Sequence, residues 1–402
     1  MRIGFVGAGF TADHYVGSFR RYSDLELVAA TDLDQERAAK FGKHHSVKIV
    51  PSLDALLSDP SIEMCVNLTG SSSHFAVSKA CLEAGKHLYT EKPLSTTFAE
   101  AQTLVELAKA KGLYFSSAPC SLLGEQAQTL WRALRKNEIG DVHVAYAELE
   151  DGPFHLGEPH TWVAPSGAPY DYRGEFAMGV TMEHAGYYLA WFSAFFGPAK
   201  SITGFASTVW PDKVISPQET LHVTTPDFSV SCITFENGTV ARLTCSLVGP
   251  YNHSMKLIGD TGILSVDEAW NFYCPVYLEK YSQLKFKIDR YPISKKFPMI
   301  KTWAPPMKKT YPSVWQSKLS NRQARYRMDY SRGIADLARA ATEQREPLLP
   351  PDFCLHVTEL ALAMQYATDK PYQVTTTFKP LQPMDDAQLK KLIPATWAGA
   401  SF

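Results

Sequence analysis

Two short motifs carry side chains that suit proton transfer at a hydroxyl. Lys92 is the central residue of a Glu-Lys-Pro turn that follows a predicted strand at residues 87–90. A lysine there can hydrogen-bond a substrate hydroxyl and stabilise the developing alkoxide. Glu183 and Tyr187 lie four residues apart at the start of an apolar helical segment, so they share one helix face. The pair predicts a carboxylate that holds a vicinal diol and a phenol that exchanges a proton with the carbon-bound oxygen.

The Tyr187 phenol can act as a base only if its pKa is lowered. Tyrosine has an ordinary pKa near 10, and each unit of lowering corresponds to about 1.4 kcal/mol. A nearby ammonium favours the phenolate, and Lys92 is the expected source. His184 is adjacent to the pair but on a different helix face. The alternative interpretation is structural: Glu-Lys-Pro is a surface turn, Tyr187 and Tyr188 are core aromatics, and His184 is a satisfied polar group.

A glycine-rich turn at the N-terminus predicts a phosphate-binding site. A strand at residues 1–6 runs into the sequence Gly7-Ala8-Gly9-Phe10-Thr11-Ala12. Gly7 permits the tight turn, Gly9 lets the backbone approach a pyrophosphate, and Ala12 lets the following helix pack on the sheet with its N-terminus facing the anion. The motif therefore predicts that a dinucleotide binds here.

An acid lies where the adenine ribose of a dinucleotide is expected. A second strand, at residues 25–31, ends at Asp32, which follows Gly9 by 23 residues. An acid that hydrogen-bonds the ribose 2′-hydroxyl lies about 20 residues after such a turn. We therefore expect NAD. NADP is less favoured because no arginine follows Asp32 directly, although Arg37 is close enough to leave NADP open. The alternative role of Asp32 is a helix cap.

The first 121 residues alternate short apolar runs with helical periodicity. Further strands are predicted at 47–50, 64–68, 87–90 and 113–116, and helices at 36–42, 52–58, 74–85 and 97–112. This spacing is typical of parallel crossovers. We expect residues 1–121 to form an α/β Rossmann domain with a doubly wound parallel sheet.

Residues 122–402 follow a different pattern. Runs rich in β-forming residues occur at 142–147, 199–202, 221–223, 229–233, 240–243 and 255–258. Turn sequences such as Glu236-Asn-Gly238 separate them, which predicts a mostly antiparallel sheet. Helical periodicity returns at 332–341 and 354–367, and residues 333–367 are expected to pack back on the first domain. The second domain is therefore predicted to be α+β.

Composition excludes several classes of protein. The chain has 402 residues, 45% of them hydrophobic and 20% charged, with a net charge of −1. Its seven cysteines include no Cys-x-x-Cys pair, so neither a metal site nor a disulfide framework is predicted. No apolar run reaches the ~18 residues of a membrane span, and the chain starts directly in a strand. We expect a cytoplasmic protein.

Positive charge is concentrated in one segment. Residues 280–332 hold fourteen basic residues against two acidic ones, a net charge of +12, together with several prolines and aromatics. This predicts a long basic excursion from a sheet. One interpretation is a solvated or oligomer-contacting arm. The other is recognition of an anion such as a nucleotide-sugar diphosphate, or of an acidic surface. Nucleic acid is disfavoured because the basic residues do not share a helical face.

The motifs together resemble the Gfo/Idh/MocA oxidoreductases. The resemblance rests on the glycine turn, Asp32, Thr69-Gly-Ser-Ser-Ser-His74, Ala84-Gly-Lys-His87 and Glu91-Lys92-Pro93-Leu94, in matching order and spacing. It continues through residues 139–142, 183–198 and 258–266, so it covers most of the chain. It implies a Rossmann domain, a larger open-faced sheet used for oligomer contacts, and NAD(P)-dependent chemistry at a hydroxyl carbon of sugars, cyclitols or nucleotide sugars.

The resemblance also assigns roles to residues. Lys92 matches the catalytic lysine of the family, and Glu183 and Tyr187 occupy its Asp-x-x-x-His pair, with tyrosine in place of histidine. Histidine titrates near pH 6.5 and is the easier proton carrier, so this departure leaves the identity of the acid/base open. Two further departures are Thr69-Gly70, where many members have Thr-Pro, and the long basic segment.

The resulting hypothesis is an NAD(P)-dependent dehydrogenase of a sugar or nucleotide sugar, slightly favouring the latter. Lys92 and Tyr187 relay the proton and Glu183 orients the substrate. The predicted substrate pocket includes His160, Trp162 and His184. The predicted cofactor-binding residues are Gly7, Gly9, Phe10, Thr11, Ala12, Asp32, Thr69, His74, Glu91 and Lys92.

Two alternatives remain open at this stage. An NAD-dependent glycosidase would oxidise its sugar transiently and re-reduce it, and tyrosine at position 187 is compatible with that. A non-catalytic NAD(H)-binding sensor would keep the glycine turn and Asp32 but would not need Lys92. We expect a homodimer or homotetramer, because an exposed face on the second sheet favours association.

Overall fold

The apolar runs of the N-terminal third form one parallel sheet. The computed structural model describes residues 1–283, 296, 308–313, 328–367 and 369–392. The strands are β1 (Arg2–Val6), β2 (Glu26–Thr31), β3 (Lys48–Ile49), β4 (Met64–Asn67), β5 (His87–Thr90) and β6 (Phe115–Ser117). Their order is β3-β2-β1-β4-β5-β6, and every pair is parallel. The order reverses between β1 and β4, which is where open α/β sheets bind ligands.

Crossover helices connect these strands. They are α1 (Phe10–Phe19), α2 (Gln35–His45), α3 (Leu53–Leu57), α4 (His74–Glu83) and α5 (Phe98–Ala110). Side-chain caps start three of them, including Asp34 at α2 and Thr97 at α5, because an oxygen at that position accepts from the free N–H groups of the first turn. The doubly wound α/β fold predicted for this region is confirmed.

The second sheet is larger and mixed. Its strands are β7 (Val142–Glu150), β8 (Ala199–Ser207), β11 (Phe228–Phe235), β12 (Val240–Ser246), β13 (Met255–Gly259), β14 (Gly262–Val266), β15 (Tyr277–Lys280), β16 (Lys308–Thr310) and β17 (Tyr372–Gln373). The order is β16-β15-β14-β13-β7-β12-β11-β8-β17. Among the described strands of this second sheet, only β7 and β12 pair in parallel, so the predicted mostly antiparallel sheet is confirmed.

One predicted strand belongs elsewhere. Residues 221–223 were expected in the large sheet, but β10 (Glu219–His222) pairs with β9 (Asp212–Ser216) in a separate two-stranded sheet. β-Propensity identifies residues that favour a strand, but it does not identify the strand with which they pair.

Helices link the two sheets. They are α6 (Glu125–Arg135), α7 (Tyr172–Met178), α8 (Val180–His184), α9 (Gly186–Phe196), α10 (Arg332–Glu343), α11 (Pro351–Tyr366) and α12 (Asp386–Leu392). Helix α11 packs against α5 and β6 on one side and against α9 and β8 on the other, while α10 contacts β5 and β6. These two helices therefore hold the C-terminal part of the chain against the parallel sheet.

Most of the predicted basic excursion at 280–332 lies outside the described residues. Its last residue, Arg332, is fully buried rather than solvated. The guanidinium pairs with Glu125 at 2.9 Å and with Asp329 at 3.5 Å, and it stacks on Phe272. The +12 charge therefore overstates the charge that this segment presents to solvent. No helix among the described residues is both long and apolar enough to cross a membrane.

Candidate functional site

The glycine turn between β1 and α1 is built to receive an anion. Gly7 has φ +103°, and a Cβ there would lie 2.6 Å from the carbonyl oxygen of Leu68, so any other side chain would clash with backbone. A Cβ on Gly9 would meet nothing within 4 Å, which leaves open space above the turn. Helix α1 begins at Phe10 without a side-chain cap, so its first N–H groups remain available to a phosphate. These residues fit the pyrophosphate of a dinucleotide.

Asp32 follows β2 and faces this turn, but its acceptor positions are already filled. Its carboxylate accepts from the backbone N–H groups of Ala8 (2.7 Å) and Asp34 (2.8 Å), and from Arg37 through Nη2 (2.6 Å) and Nε (3.1 Å). Burial raises the pKa of Asp32, but these hydrogen bonds outweigh it and hold the pKa below its ordinary value. A ribose hydroxyl must therefore displace Arg37 to reach this carboxylate.

Three predicted cofactor residues brace the loop that carries Lys92. Glu91 accepts from the Tyr15 hydroxyl (2.6 Å) and from the Lys92 backbone N–H (2.7 Å). The buried His74 ring lies 2.7 Å from the Pro93 carbonyl and 2.9 Å from the Thr69 carbonyl. The structure thus gives Glu91, His74 and Thr69 contacts that position the Lys92 loop.

Asn67 and Tyr15 also contact the Lys92 loop or its supports, and they were not identified from the sequence. Asn67 ends β4, accepts from Thr69 and donates to Ser78 and the His74 carbonyl, so it fixes the same loop. A polar residue at the carboxyl end of an otherwise apolar strand was the available signal. Tyr15 lies inside α1 among residues that face the core. Nothing in the local sequence indicates its hydrogen bond to Glu91, which is 76 residues away.

Lys92, Glu183 and Tyr187 come together at the carboxyl end of the parallel sheet. The Lys92 ammonium makes a very short ion pair with Glu183, and the two side chains are only 21% and 10% exposed. Burial lowers the pKa of Lys92, but Glu183 and then Tyr187 raise it, so the pKa lies well above its ordinary value. The lysine is therefore a cation at neutral pH.

Tyr187 keeps its proton at neutral pH. Burial raises the pKa of its phenol well above the ordinary value, and Lys92 opposes this only in part. Lys92 lowers the pKa of Tyr187, as expected, but burial raises that pKa by more. The net change in the pKa is therefore upward, whereas we expected it to be downward. The ring packs edge-on against Trp270, with centroids 5.6 Å apart, so the phenol is held in one place.

A second polar cluster adjoins this trio and was not predicted as a unit. His184 contacts Asp151 (2.9 Å) and Glu175 (3.6 Å) through Nε2, and Asp151 also accepts from His253 (2.8 Å). Burial lowers the pKa of His184, but the negative charges of Asp151 and Glu175 raise it by a larger amount. The pKa of His184 therefore lies above its ordinary value. Burial raises the pKa of Asp151, but His184 and His253 outweigh it, and this carboxyl stays ionised.

Glu175 is the carboxyl of the cluster whose pKa is raised. Its side chain is 14% exposed and lies on α7, opposite Glu183 and His184 of α8. Burial and the negative charge of Glu183 raise the pKa of Glu175 to about 7, against the opposing effects of His184, Lys92 and the Tyr170 phenol. Sequence periodicity did not single out Glu175 because its partners come from three different elements.

The predicted pocket residues His160 and Trp162 lie further out. Tyr170 packs against Phe10 of the glycine turn at 5.2 Å, and Trp162 packs behind Tyr170 at 5.3 Å. Trp162 is 38% exposed and His160 is also exposed. No contact among the described residues joins His160 to the Lys92 cluster. The predicted catalytic and substrate residues therefore fall into two groups. Lys92, Glu183, Tyr187 and His184 lie together and are mostly buried, whereas His160 and Trp162 are exposed, with Trp162 near the glycine turn.

Two family models match the sequence. The model of an oxidoreductase family with an NAD-binding Rossmann fold matches residues 1–118, and the model of the GFO/IDH/MocA C-terminal domain matches residues 127–265. The chain belongs to the Gfo/Idh/MocA family. It is therefore an oxidoreductase, and the resemblance drawn from its motifs is confirmed.

Curated relatives of this Gfo/Idh/MocA chain include two kinds of enzyme. It is 27% identical over 276 residues to trans-1,2-dihydrobenzene-1,2-diol dehydrogenase of Bos taurus, covering 67% of this chain and 76% of that one. It is 26% identical over 271 residues to dTDP-3,4-didehydro-2,6-dideoxy-alpha-D-glucose 3-reductase of Streptomyces antibioticus, with coverage of 67% and 76%.

Solved structures share the fold along nearly the whole chain. The WlbA dehydrogenase of Bordetella pertussis, in complex with NADH and UDP-GlcNAcA, has a TM-score of 0.69 at 15% identity and covers 93% of this chain and 98% of its own. A 3-ketoreductase of Actinomadura kijaniata, in complex with NADP, has a TM-score of 0.66 at 17% identity with 92% and 97% coverage. At these identities the likeness is one of fold alone.

Proposed function

We propose that the chain is an NAD-dependent dehydrogenase that transfers hydride at a secondary hydroxyl carbon of a sugar or nucleotide sugar. The observation that supports this most is the buried Lys92–Glu183 ion pair beside Tyr187, at the same sheet edge as the phosphate-receiving turn. The relative named as a diol dehydrogenase supports chemistry at a secondary hydroxyl carbon, and the relative named as a dTDP-sugar reductase supports a nucleotide-sugar substrate.

The protonation states of Lys92, Glu183 and Tyr187 indicate how each takes part in proton transfer. A bound oxidised nicotinamide supplies the hydride acceptor. In oxidation, the substrate hydroxyl gives its proton to the Tyr187 oxygen as the phenol gives its own proton to Lys92, and the Lys92 ammonium passes a proton on to Glu183. In reduction, the same path runs in reverse: Tyr187, which holds its proton in the resting site, donates it to the developing alkoxide and takes one back from the Lys92–Glu183 pair. Glu183 also orients the substrate, and His184 extends the same surface.

NAD is the cofactor that we favour. Asp32 remains ionised beside the glycine turn, and its negative charge opposes the 2′-phosphate of NADP. Arg37 is a cation at this position that would favour NADP, and its charge is paired with Asp32. The neighbouring structures include both an NADH and an NADP complex, so the pairing of Arg37 is the feature to test.

We also propose that the chain forms a homodimer or homotetramer through the open face of the second sheet. Tyr146, Phe205 and Val240 share this face by strand register and are 44%, 54% and 36% exposed. Exposed apolar side chains on one flat sheet face are typical of a contact surface. Light scattering of the wild type and of Phe205→Glu tests this, since a charged residue in that face would shift the mass toward the monomer.

The function is tested by recording NADH absorbance while UDP-hexoses, dTDP-hexoses, free hexoses and inositols are added in turn to protein and NAD. We expect absorbance to rise with one sugar class. Release of an aglycone from a glycoside without accumulated NADH would instead indicate the glycosidase. No change in absorbance with any compound, despite measurable NAD binding, would indicate the non-catalytic NAD(H)-binding sensor.

A further inference from the structure

The buried site holds more negative than positive charge. Two cations, Lys92 and His184, meet three carboxylates, Asp151, Glu175 and Glu183, and all five side chains are at most 21% exposed. His253 adds a cation to this group, but Glu268 pairs with it at 2.8 Å and balances it. With all five groups ionised, they together carry one uncompensated negative charge, which is costly in a buried environment.

A single proton on one carboxyl removes that excess, and the contacts decide which one. Glu183 is in direct contact with the Lys92 ammonium, and Asp151 accepts from two imidazoles at 2.9 and 2.8 Å. Glu175 has only a 3.6 Å contact with His184 and a hydrogen bond with the Tyr170 phenol. Because its negative charge is the least compensated, Glu175 is where the proton resides. Its pKa of about 7 agrees with this assignment.

We propose that Glu175 holds an exchangeable proton whose occupancy follows the charge of the bound cofactor, and so takes up the proton that sugar oxidation releases. This inference rests on the proposed dehydrogenase function. The oxidised nicotinamide ring is a cation, so its binding near Lys92 favours the ionised Glu175. The reduced ring is neutral, so Glu175 is protonated again. Glu175 touches no reacting atom. It acts through the Lys92–Glu183 pair, from which it receives the proton, and is therefore a positioning residue.

The proton balance is complete within the site. Oxidation of a secondary alcohol moves a hydride to the oxidised dinucleotide and leaves the hydroxyl proton behind. That proton passes to the Lys92–Glu183 pair and then to Glu175, which becomes a neutral carboxylic acid. Release of the reduced dinucleotide and binding of the oxidised one returns the proton to solvent. Each turnover therefore loads and unloads Glu175 once.

The test measures dissociation constants rather than turnover. Kd for NAD+ and Kd for NADH are determined by fluorescence titration between pH 5.5 and 8.5, for the wild type and for Glu175→Gln. We expect NAD+ to bind more tightly as pH rises through 7, while NADH does not, so that the Kd ratio changes by roughly tenfold for each unit by which NAD+ displaces the pKa. Glutamine keeps the shape but cannot ionise, so this ratio becomes independent of pH.

Glu219→Gln is the matched control. Glu219 also accepts from a tyrosine, Tyr172, at 3.0 Å, and pairs with Arg173, but it lies on β10 outside the site. This variant should keep the wild-type pH dependence. A second readout is proton release on mixing with NAD+ in weakly buffered solution with a pH indicator dye. Wild type near pH 6.5 should release a proton fraction that Glu175→Gln lacks.

The outcomes separate the two proposals. A folded protein that binds neither dinucleotide contradicts the proposed function and this inference with it. Normal binding with a Kd ratio that does not change with pH in the wild type contradicts the Glu175 inference alone. The same holds if Glu175→Gln keeps both the pH dependence and the proton release, because another group would then carry the proton.

Discussion

Arg37 should weaken NAD binding, because it occupies the carboxylate that the adenine ribose needs. Its Nη2 and Nε donate to Asp32 at 2.6 and 3.1 Å and fill two of four acceptor positions. The Arg37 side chain is 34% exposed, so solvent screens the pair and its strength lies near 1 kcal/mol, the upper end for exposed ion pairs. Removing this competition in Arg37→Ala should tighten NAD+ binding about fivefold, because 1.4 kcal/mol corresponds to tenfold.

The same variant should weaken NADP binding, because a 2′-phosphate would then face Asp32 without a neighbouring cation. Calorimetric titration with NAD+ and NADP+ measures both effects. Lys40→Ala is the control, since it removes a positive charge from the same helix but pairs with Glu36 at 2.7 Å. If Arg37→Ala weakens NAD+ binding while Lys40→Ala does not, the reasoning is refuted, and Arg37 is part of the dinucleotide site.

Three further predictions follow from single contacts. Gly7→Ala forces a Cβ to within 2.6 Å of the Leu68 carbonyl at φ +103°, so it should abolish NAD+ binding in calorimetry and lower Tm; unchanged binding would mean that the turn is not the phosphate site. Tyr187→Phe should lower kcat by about 10²–10⁴-fold at unchanged Kd for NAD+, and equal rates would exclude the phenol as proton carrier. Burial lowers the pKa of His253, but Asp151 and Glu268 outweigh it and raise that pKa to about 9. The stability that this gives is complete below about pH 6.5 and is lost as pH rises through 9. In urea unfolding, His253→Gln should lose less stability than the wild type between these pH values, and parallel profiles would contradict that assignment.

Sequence pattern predicted the fold well because the Rossmann domain is encoded locally. Each strand is a short apolar run followed by a helical period, and the φ of +103° at Gly7 is a local conformation that favours glycine. The pairing of β9 with β10 was not predictable in the same way. Residues 221–223 have the composition of a strand, but their partner depends on tertiary packing, which no local pattern records.

The candidate site was only partly accessible from sequence. The spacing of Glu183 and Tyr187 predicts a shared helix face. In the structure the two residues lie on successive helices, α8 and α9, and both groups still act on Lys92. Their surroundings were not predictable, because burial reverses the net pKa shift expected for Tyr187. Asp151, Glu175 and His253 come from separate elements, and their charges become a unit only when the chain folds.

The central claim is that Lys92 does chemistry at this site, and one comparison tests it most directly. NADH formation is measured for the wild type, Lys92→Met and Lys79→Met with the sugar that responds in the substrate panel. Lys79 is a surface lysine paired with Glu83 at 2.6 Å, so its variant controls for the loss of a charge. Only Lys92→Met should lose at least about 10²-fold in kcat while still binding NAD+. Equal rates in all three proteins would contradict it.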